Sequence, residues 1–292
     1  MSPGVTSRSL RGISAVVALL SVGAVGCSEA LDSAKAGAKK VVRQRSVFSL
    51  ATGDCYNPNN GTAKSEEFSV EVVPCKEPHK GQVVGDFKID GQSAYPGEDK
   101  TAQIADERCP AEAQKFTPDD WALPKGVDVY YYSPTKESWA TGDRAVTCTY
   151  TKESGTFSGS LKSEPLNADQ LAYLKGSNAV YDALWTNQPE ADHAEDDFTG
   201  YKKQAKAVAA ALGSHLTALK GIQQPETAKL RAQLEKTAGA WEKAASAGDT
   251  DAFYLAYDRA FDGINPDKTL AARKELKLAA TVPADDAKVW SD

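Results

Sequence analysis

The sequence predicts a disulfide-stabilised α+β domain followed by an all-α antiparallel helical bundle. Of the five cysteines, Cys55, Cys75, Cys109 and Cys148 all fall between residues 46 and 157. That stretch alternates apolar and polar residues with the period of a strand. Residues 163–282 contain no cysteine, and their apolar residues recur at steps of three and four, the period of a helix.

The N-terminus reads as an export signal. Arg8 and Arg11 form a basic start, and "ISAVVALLSVGAV" (13–25) is apolar and uncharged, roughly half the ~20 residues a spanning helix needs. The run ends in "AVGC", where small residues before Cys27 resemble the lipobox of bacterial lipoproteins, with Ala24 in the place usually taken by Leu. The resemblance implies cleavage after residue 26 and lipidation of Cys27; an ordinary secretory signal cleaved nearby is the weaker reading. Each buried methylene contributes about 0.8 kcal/mol and stable anchoring needs two chains, which a diacylglyceryl group supplies. Residues 27–45, with Lys35, Lys39, Lys40, Arg43 and Arg45, read as a polar tether. Its positive charge suits anionic headgroups, although a solvated linker is the preferred reading. The expected location is the extracytoplasmic face of the cell membrane.

Without residues 1–26 the chain keeps 32 basic and 40 acidic residues, a net charge of −8 over 266 residues. That length allows two modest domains. Nucleic-acid binding would want a clustered basic face, and none is evident. The sequence calls for no cofactor.

In the first domain (46–157), strands are expected at 67–73, 81–89, 127–133 and 144–151, from their alternation and their β-branched and aromatic content. Residues 96–116 look helical, with Ala102, Ala105 and Cys109 on one face and Pro110 marking a restart or an end. Turns are marked at "YNPNNGT" (56–62) and "ATGDR" (140–144).

The second domain (163–282) opens with a helix near 167–186, carrying Leu171, Leu174, Tyr181, Leu184 and Trp185. One stripe then runs Phe198, Tyr201, Ala205, Val208, Leu212, His215 and Leu219, and another runs Leu230, Leu234, Thr237, Trp241 and Ala244. Phe253, Tyr257, Ala260, Phe261 and Ile264 mark a helix near 250–264, and Asn265 before Pro266 starts a short fifth. Short connections make neighbours antiparallel. These stripes read as core, His215 included. His193 stands beside Asp192, Glu195, Asp196 and Asp197, acids that favour a helix N-terminus without needing a ligand; a weak divalent-cation site is the alternative.

Four cysteines in an exported chain argue for disulfides. Three pairings are possible and the sequence does not decide among them. Cys55–Cys75 with Cys109–Cys148 is favoured, because the first ties strands flanking the 56–62 turn and the second staples the helix to the last strand. Loops of these sizes stabilise by roughly 3–4 kcal/mol each in the chain-entropy model. Oxidised sulfurs cannot serve a Cys75/His79 metal site or a catalytic Cys–His pair, and no Cys-x2-Cys spacing suggests zinc.

"GDC" (53–55), "VVPCKEPHKGQVVGDF" (72–87), the lone Cys109 and "YYYSPTKESWATGDRAVTC" (130–148) together resemble the septum-formation domain family over residues 46–150. Such domains occur in actinobacterial membrane proteins and lipoproteins, and the resemblance implies an extracytoplasmic accessory module linked to the division septum. Within the motif set, Asp54 and Asp143 suit turn amides, Arg144 suits either carboxylate, and Trp139 suits cover for a disulfide. The functional alternative has Asp54, His79, Trp139, Asp143 and Arg144 converging on one exposed groove for a carboxylate or a sugar-bearing wall polymer.

The preferred expectation is a non-enzymatic envelope lipoprotein that binds an envelope or division protein or a wall polymer. The alternatives are an exported wall hydrolase using His79 with Asp54 or Asp143, and a ligand-capturing lipoprotein with its pocket in the bundle. No nucleophile motif marks the first of these, and the bundle stripes look filled. "TKESGTFSGSLKSEP" (151–165) reads as a flexible join between the domains.

Overall fold

The computed structural model describes residues 43–59 and 69–290. The expected signal segment, Cys27 and the tether as far as residue 42 lie outside the described residues, as does the second half of the turn expected at 56–62. Residues 43–292 cluster as one compact unit.

Six strands form one antiparallel sheet: β1 (Gln44–Ser46), β2 (Cys55–Pro58), β3 (Ser69–Val73), β4 (Gly81–Lys88), β5 (Val127–Tyr132) and β6 (Ala145–Lys152). Their order across the sheet is β1-β3-β2-β4-β6-β5. The four expected strands are present. β1 and β2 correct two readings, for the tether ends in a strand and Tyr56–Pro58 is paired rather than turning. Asn57 and Pro58 have little strand propensity; β2 forms because β3 pairs with it from Cys55↔Val73 to Pro58↔Val70 and the Cys55–Cys75 disulfide ties its start. Gly81 is required opposite it, since a β-carbon there would overlap the Tyr56 ring. Val83 and Val84 of β4 enter different apolar clusters, as the two-residue period of a strand dictates.

Helix α1 (Glu98–Phe116) runs through Pro110 without a break, correcting the expected restart. An interior proline costs about 3 kcal/mol. Burial offsets this: Thr101, Ala105, Cys109, Ala113 and Phe116 all face the sheet, and Cys109 bonds to Cys148 of β6. Both disulfides are the pairs favoured from sequence. The short α2 (Lys136–Ala140) is closed by a capping box between Thr135 and Ser138.

The helical half comprises α3 (Ala168–Thr186), α4 (Phe198–Leu219), α5 (Pro225–Ala245), α6 (Thr250–Gly263), α7 (Leu270–Glu275) and α8 (Ala284–Val289). The polar punctuation sets the starts: Asn167, Asp197 and Asp249 each accept a first-turn N–H, and Pro225 occupies the first turn of α5. Successive long helices pack on one another around a core that includes Leu212, Leu234, Trp241 and Phe253. Leu171 and Trp185 depart from their expected core roles and stand 45% and 44% exposed. Helix α8 was not expected. Among the described residues no helix is long and apolar enough to cross a membrane.

His215 of α4 is buried against Gly176 of α3, where a β-carbon would overlap its ring. Its Nδ1 has no partner, and it borders a void of about 20 Å³, room for one water molecule. Burial lowers its pKa to about 4.

The expected flexible join is tied down. Phe157 and His79 exchange both backbone hydrogen bonds at 2.9 Å, Gly159 N donates to Cys75 O, Leu161 N donates to Gln82 Oε1, and Ser163 N donates to Phe116 O. Polar loops lose their freedom when their backbone groups find partners, and composition does not reveal that. Beyond the strap the halves meet directly. Arg273 of α7, 2% exposed, donates to Asp119 Oδ1 and to Ala279 O, while Asp119 Oδ2 accepts from Ala279 N. Asn178 of α3 donates to Pro118 O.

Arg273→Ala leaves the Asp119 carboxylate buried without its cation, and the expected loss is about 3–5 kcal/mol in urea unfolding. His215 binds its proton less readily when folded. Its contribution is therefore complete above about pH 6.5 and is lost as pH falls towards 4, by about 3 kcal/mol. His215→Leu is expected to flatten that part of the stability–pH curve, read by urea midpoints across the range.

Candidate functional site

The family-like motif residues are built into two corners of the sheet. At the first, Gly53 and Asp54 turn into β2, and the Asp54 carboxylate accepts from Arg45 Nη1 at 3.0 Å and Ala51 N at 2.9 Å. Arg43 pairs with Glu77 at 3.0 Å, so the last two cations of the expected tether are bound to the fold. Cys75 is oxidised to Cys55. His79 follows, wholly buried. Its Nδ1 lies 2.7 Å from Glu77 O, so Nδ1 carries the proton, since a carbonyl only accepts. Its ring meets the Phe157 ring edge-on at 4.3 Å. His79 is the post to which the 151–165 strap is fastened, a role that the Cys-x3-His spacing did not disclose.

At the second corner, Thr135 and Ser138 cap α2 and bring Trp139 inward to 4% exposure. Trp139 shares its apolar cluster with Cys109 and Cys148. Asp143 accepts from Ser138 Oγ at 2.9 Å and from Ala145 N at 3.0 Å. The Arg144 guanidinium lies 3.8 Å over the Trp139 ring and donates to Trp139 O and Asp143 O, each at 2.7 Å. It spends its donors on carbonyls rather than on the carboxylates foreseen.

These five residues do not share a groove. Asp54 and His79 lie at the Gly81 end of β4, whereas Ile89 N donates to Arg144 O beyond its Lys88 end. Seven strand steps separate the ends, roughly 23 Å at about 3.3 Å each. Among the described residues no group of three or more histidine, cysteine and acidic side chains is placed to hold a metal. His193 and its acids are engaged otherwise: Asp197 caps α4 through Gly200 N, and Glu195 accepts from Tyr254 Oη at 3.0 Å.

Two of the concave surfaces combine aromatic rings with acids. One, of about 410 Å³, lies beside edge strand β5, walled by Phe48, Tyr95 and Tyr131 with Glu98 and Glu137 on it. The other, about 200 Å³ and more enclosed, lies where the halves meet, between Asp120–Trp121, α3, Arg273 and α8. Its carboxyls are perturbed. Lost hydration raises Asp120 first, Asp286 adds to that, and Arg273 opposes it; lost hydration alone raises Asp182. Both keep access to solvent while standing among protein atoms. Sequence reading missed this cleft because its parts lie more than 150 residues apart. The one available signal was Trp185, a large ring at the edge of its helical stripe.

Geometrically the first half is a small antiparallel sheet crossed by one helix and closed by two disulfides, the helical half being appended to it. Residues 22–150 match the family model described as septum formation. The match starts well before the expected residue 46 and takes in Cys27. Neither the curated proteins nor the solved structures contained a match.

His79→Ala removes a sealed ring and loosens the strap. The expected cost is about 2–4 kcal/mol of unfolding free energy, with faster amide exchange at Phe157, measured by urea titration and hydrogen–deuterium exchange.

Proposed function

We propose that the protein is a lipid-anchored accessory protein of the extracytoplasmic membrane face that serves septum formation by binding rather than by catalysis. The observation that carries this is the septum-formation match over residues 22–150, which spans the lipobox-like cysteine and the disulfide-closed sheet. Two disulfides suit an oxidising compartment. Binding is favoured over hydrolysis because His79 is sealed and Asp143 belongs to the opposite corner, so the pairs of His79 with Asp54 or Asp143 do not meet at a surface. We read the helical half as an antiparallel bundle appended to this module.

The surface best suited to an envelope protein or wall polymer is the β5 groove. Aromatic faces there stack on apolar segments or sugar rings, and Glu98 and Glu137 accept hydrogen bonds from amides or hydroxyls.

Cys27→Ser is expected to move the protein from the membrane fraction to the soluble extracytoplasmic fraction. Proximity labelling from a C-terminal tag should recover division proteins from the wild type. An intact mass showing an unprocessed start and four reduced thiols would refute the reading, as would labelling that returns only cytosolic proteins.

A further inference from the structure

The junction cleft brings carboxylates and aromatic rings together in one enclosed concavity. Asp120 lies on one wall and Asp182 of α3 and Asp286 of α8 on the others. Among the described residues of the lining the cation is Arg273, which is committed to Asp119 and stacks 3.8 Å from the Trp121 ring. The rest of the lining is aromatic rings beside the polar Gln114, Ser177 and Asn178. Trp185 and Tyr181 both meet the Trp290 ring edge-on, at 6.4 Å and 6.1 Å, and Trp290 is fixed by stacking on Phe261 at 5.1 Å and by donating to Phe261 O.

We propose that this cleft binds an alkylammonium head, presented by a free amine or by a lysine side chain of a partner. Aromatic faces attract organic cations by their quadrupole, and the carboxylates supply charge and hydrogen-bond acceptance. A bare metal ion would instead want several oxygens converging on one point, and much of this lining is aromatic. The volume fits an ammonium with a short aliphatic stem and is below the ~300 Å³ at which pockets for larger ligands begin. A cation here would also relieve the raised Asp120 and Asp182 carboxyls by favouring their ionised forms. Gln114, Asp120 and Trp121 come from the first half and the other walls from the helical half, so the cleft exists only because the two are joined. It does not depend on the membrane or septal reading, whose failure would appear in fractionation rather than in a binding curve.

The test titrates the intact protein with n-butylammonium chloride and with Nα-acetyl-lysinamide, using n-butanol as the neutral match at constant chloride. Tryptophan fluorescence follows binding, because Trp121, Trp185 and Trp290 line the site. Both amines are expected to give saturable changes and n-butanol none. Asp182→Asn, at an exposed position, should weaken amine binding about tenfold without moving the unfolding temperature; Trp185→Leu should weaken it as well. Tighter binding of the lysinamide marks a partner's side chain as the occupant, and tighter binding of butylammonium marks a free amine. The proposal is overturned if neither amine saturates, if n-butanol binds equally, or if Asp182→Asn retains full affinity.

Discussion

A carboxylate and a guanidinium, both nearly sealed from water, meet where the sheet half and the helical half of this chain touch. Asp119 and Arg273 are separated by 154 residues, and each half has its own apolar core. Desolvating such a pair can offset most of its Coulombic gain, so its value lies less in net stability than in geometry. An apolar contact would allow the halves to slide. A guanidinium that must satisfy Asp119 and Ala279 O while lying flat on Trp121 permits one arrangement. That arrangement positions Asp120 and Trp121 against α3 and α8, and so defines the junction cleft.

The strap acts at the other end of the same joint. Composition makes residues 151–165 look like a loose linker, yet their backbone groups bond to His79, Cys75, Gln82 and Phe116. The Cys55–Cys75 disulfide holds the segment onto which the strap closes, and Cys109–Cys148 holds α1, which ends at Phe116. The covalent links therefore secure both edges of the joint as well as the sheet itself. This gives the family-like histidine a physical purpose: it is large, flat and able to donate to Glu77 O while packing on Phe157.

Local patterning disclosed most of the elements because local physics decides them. The stripe from Ala205 to Leu219 must be helical to bury one face, and strands β3 to β6 are marked by β-branched and aromatic residues, with β4 and β6 buried on both faces along most of their length. Elements decided by distant partners escaped. β2 contains Asn57 and Pro58 and forms only because β3 and Gly81 wait for it. Helix α1 continues past Pro110 because a disulfide and an apolar face clamp it to β6. The cysteine pairing was legible in outline, since each bond joins elements whose order along the chain was visible. The motif residues were legible as a set but not as a place: spacing along the chain cannot say that Asp143 and His79 sit at opposite ends of one strand pair.

The same reasoning assigns the recurring motif and the cleft to different physical roles. Asp54, Asp143, Arg144, His79 and Trp139 all direct their polar atoms or rings at their own domain. Side chains so engaged have little left with which to bind a ligand, whereas they account well for a corner that must keep its shape. The cleft shows a different condition: carboxyls raised by lost hydration and tryptophan surface left open to water. Unspent interaction of this kind is costly to keep in a folded protein unless it is used. A helical half that served only to stabilise the sheet would have closed this seam with leucine. That the seam is instead lined by acids and aromatic rings is why ammonium binding is assigned to the junction and scaffolding to the motif.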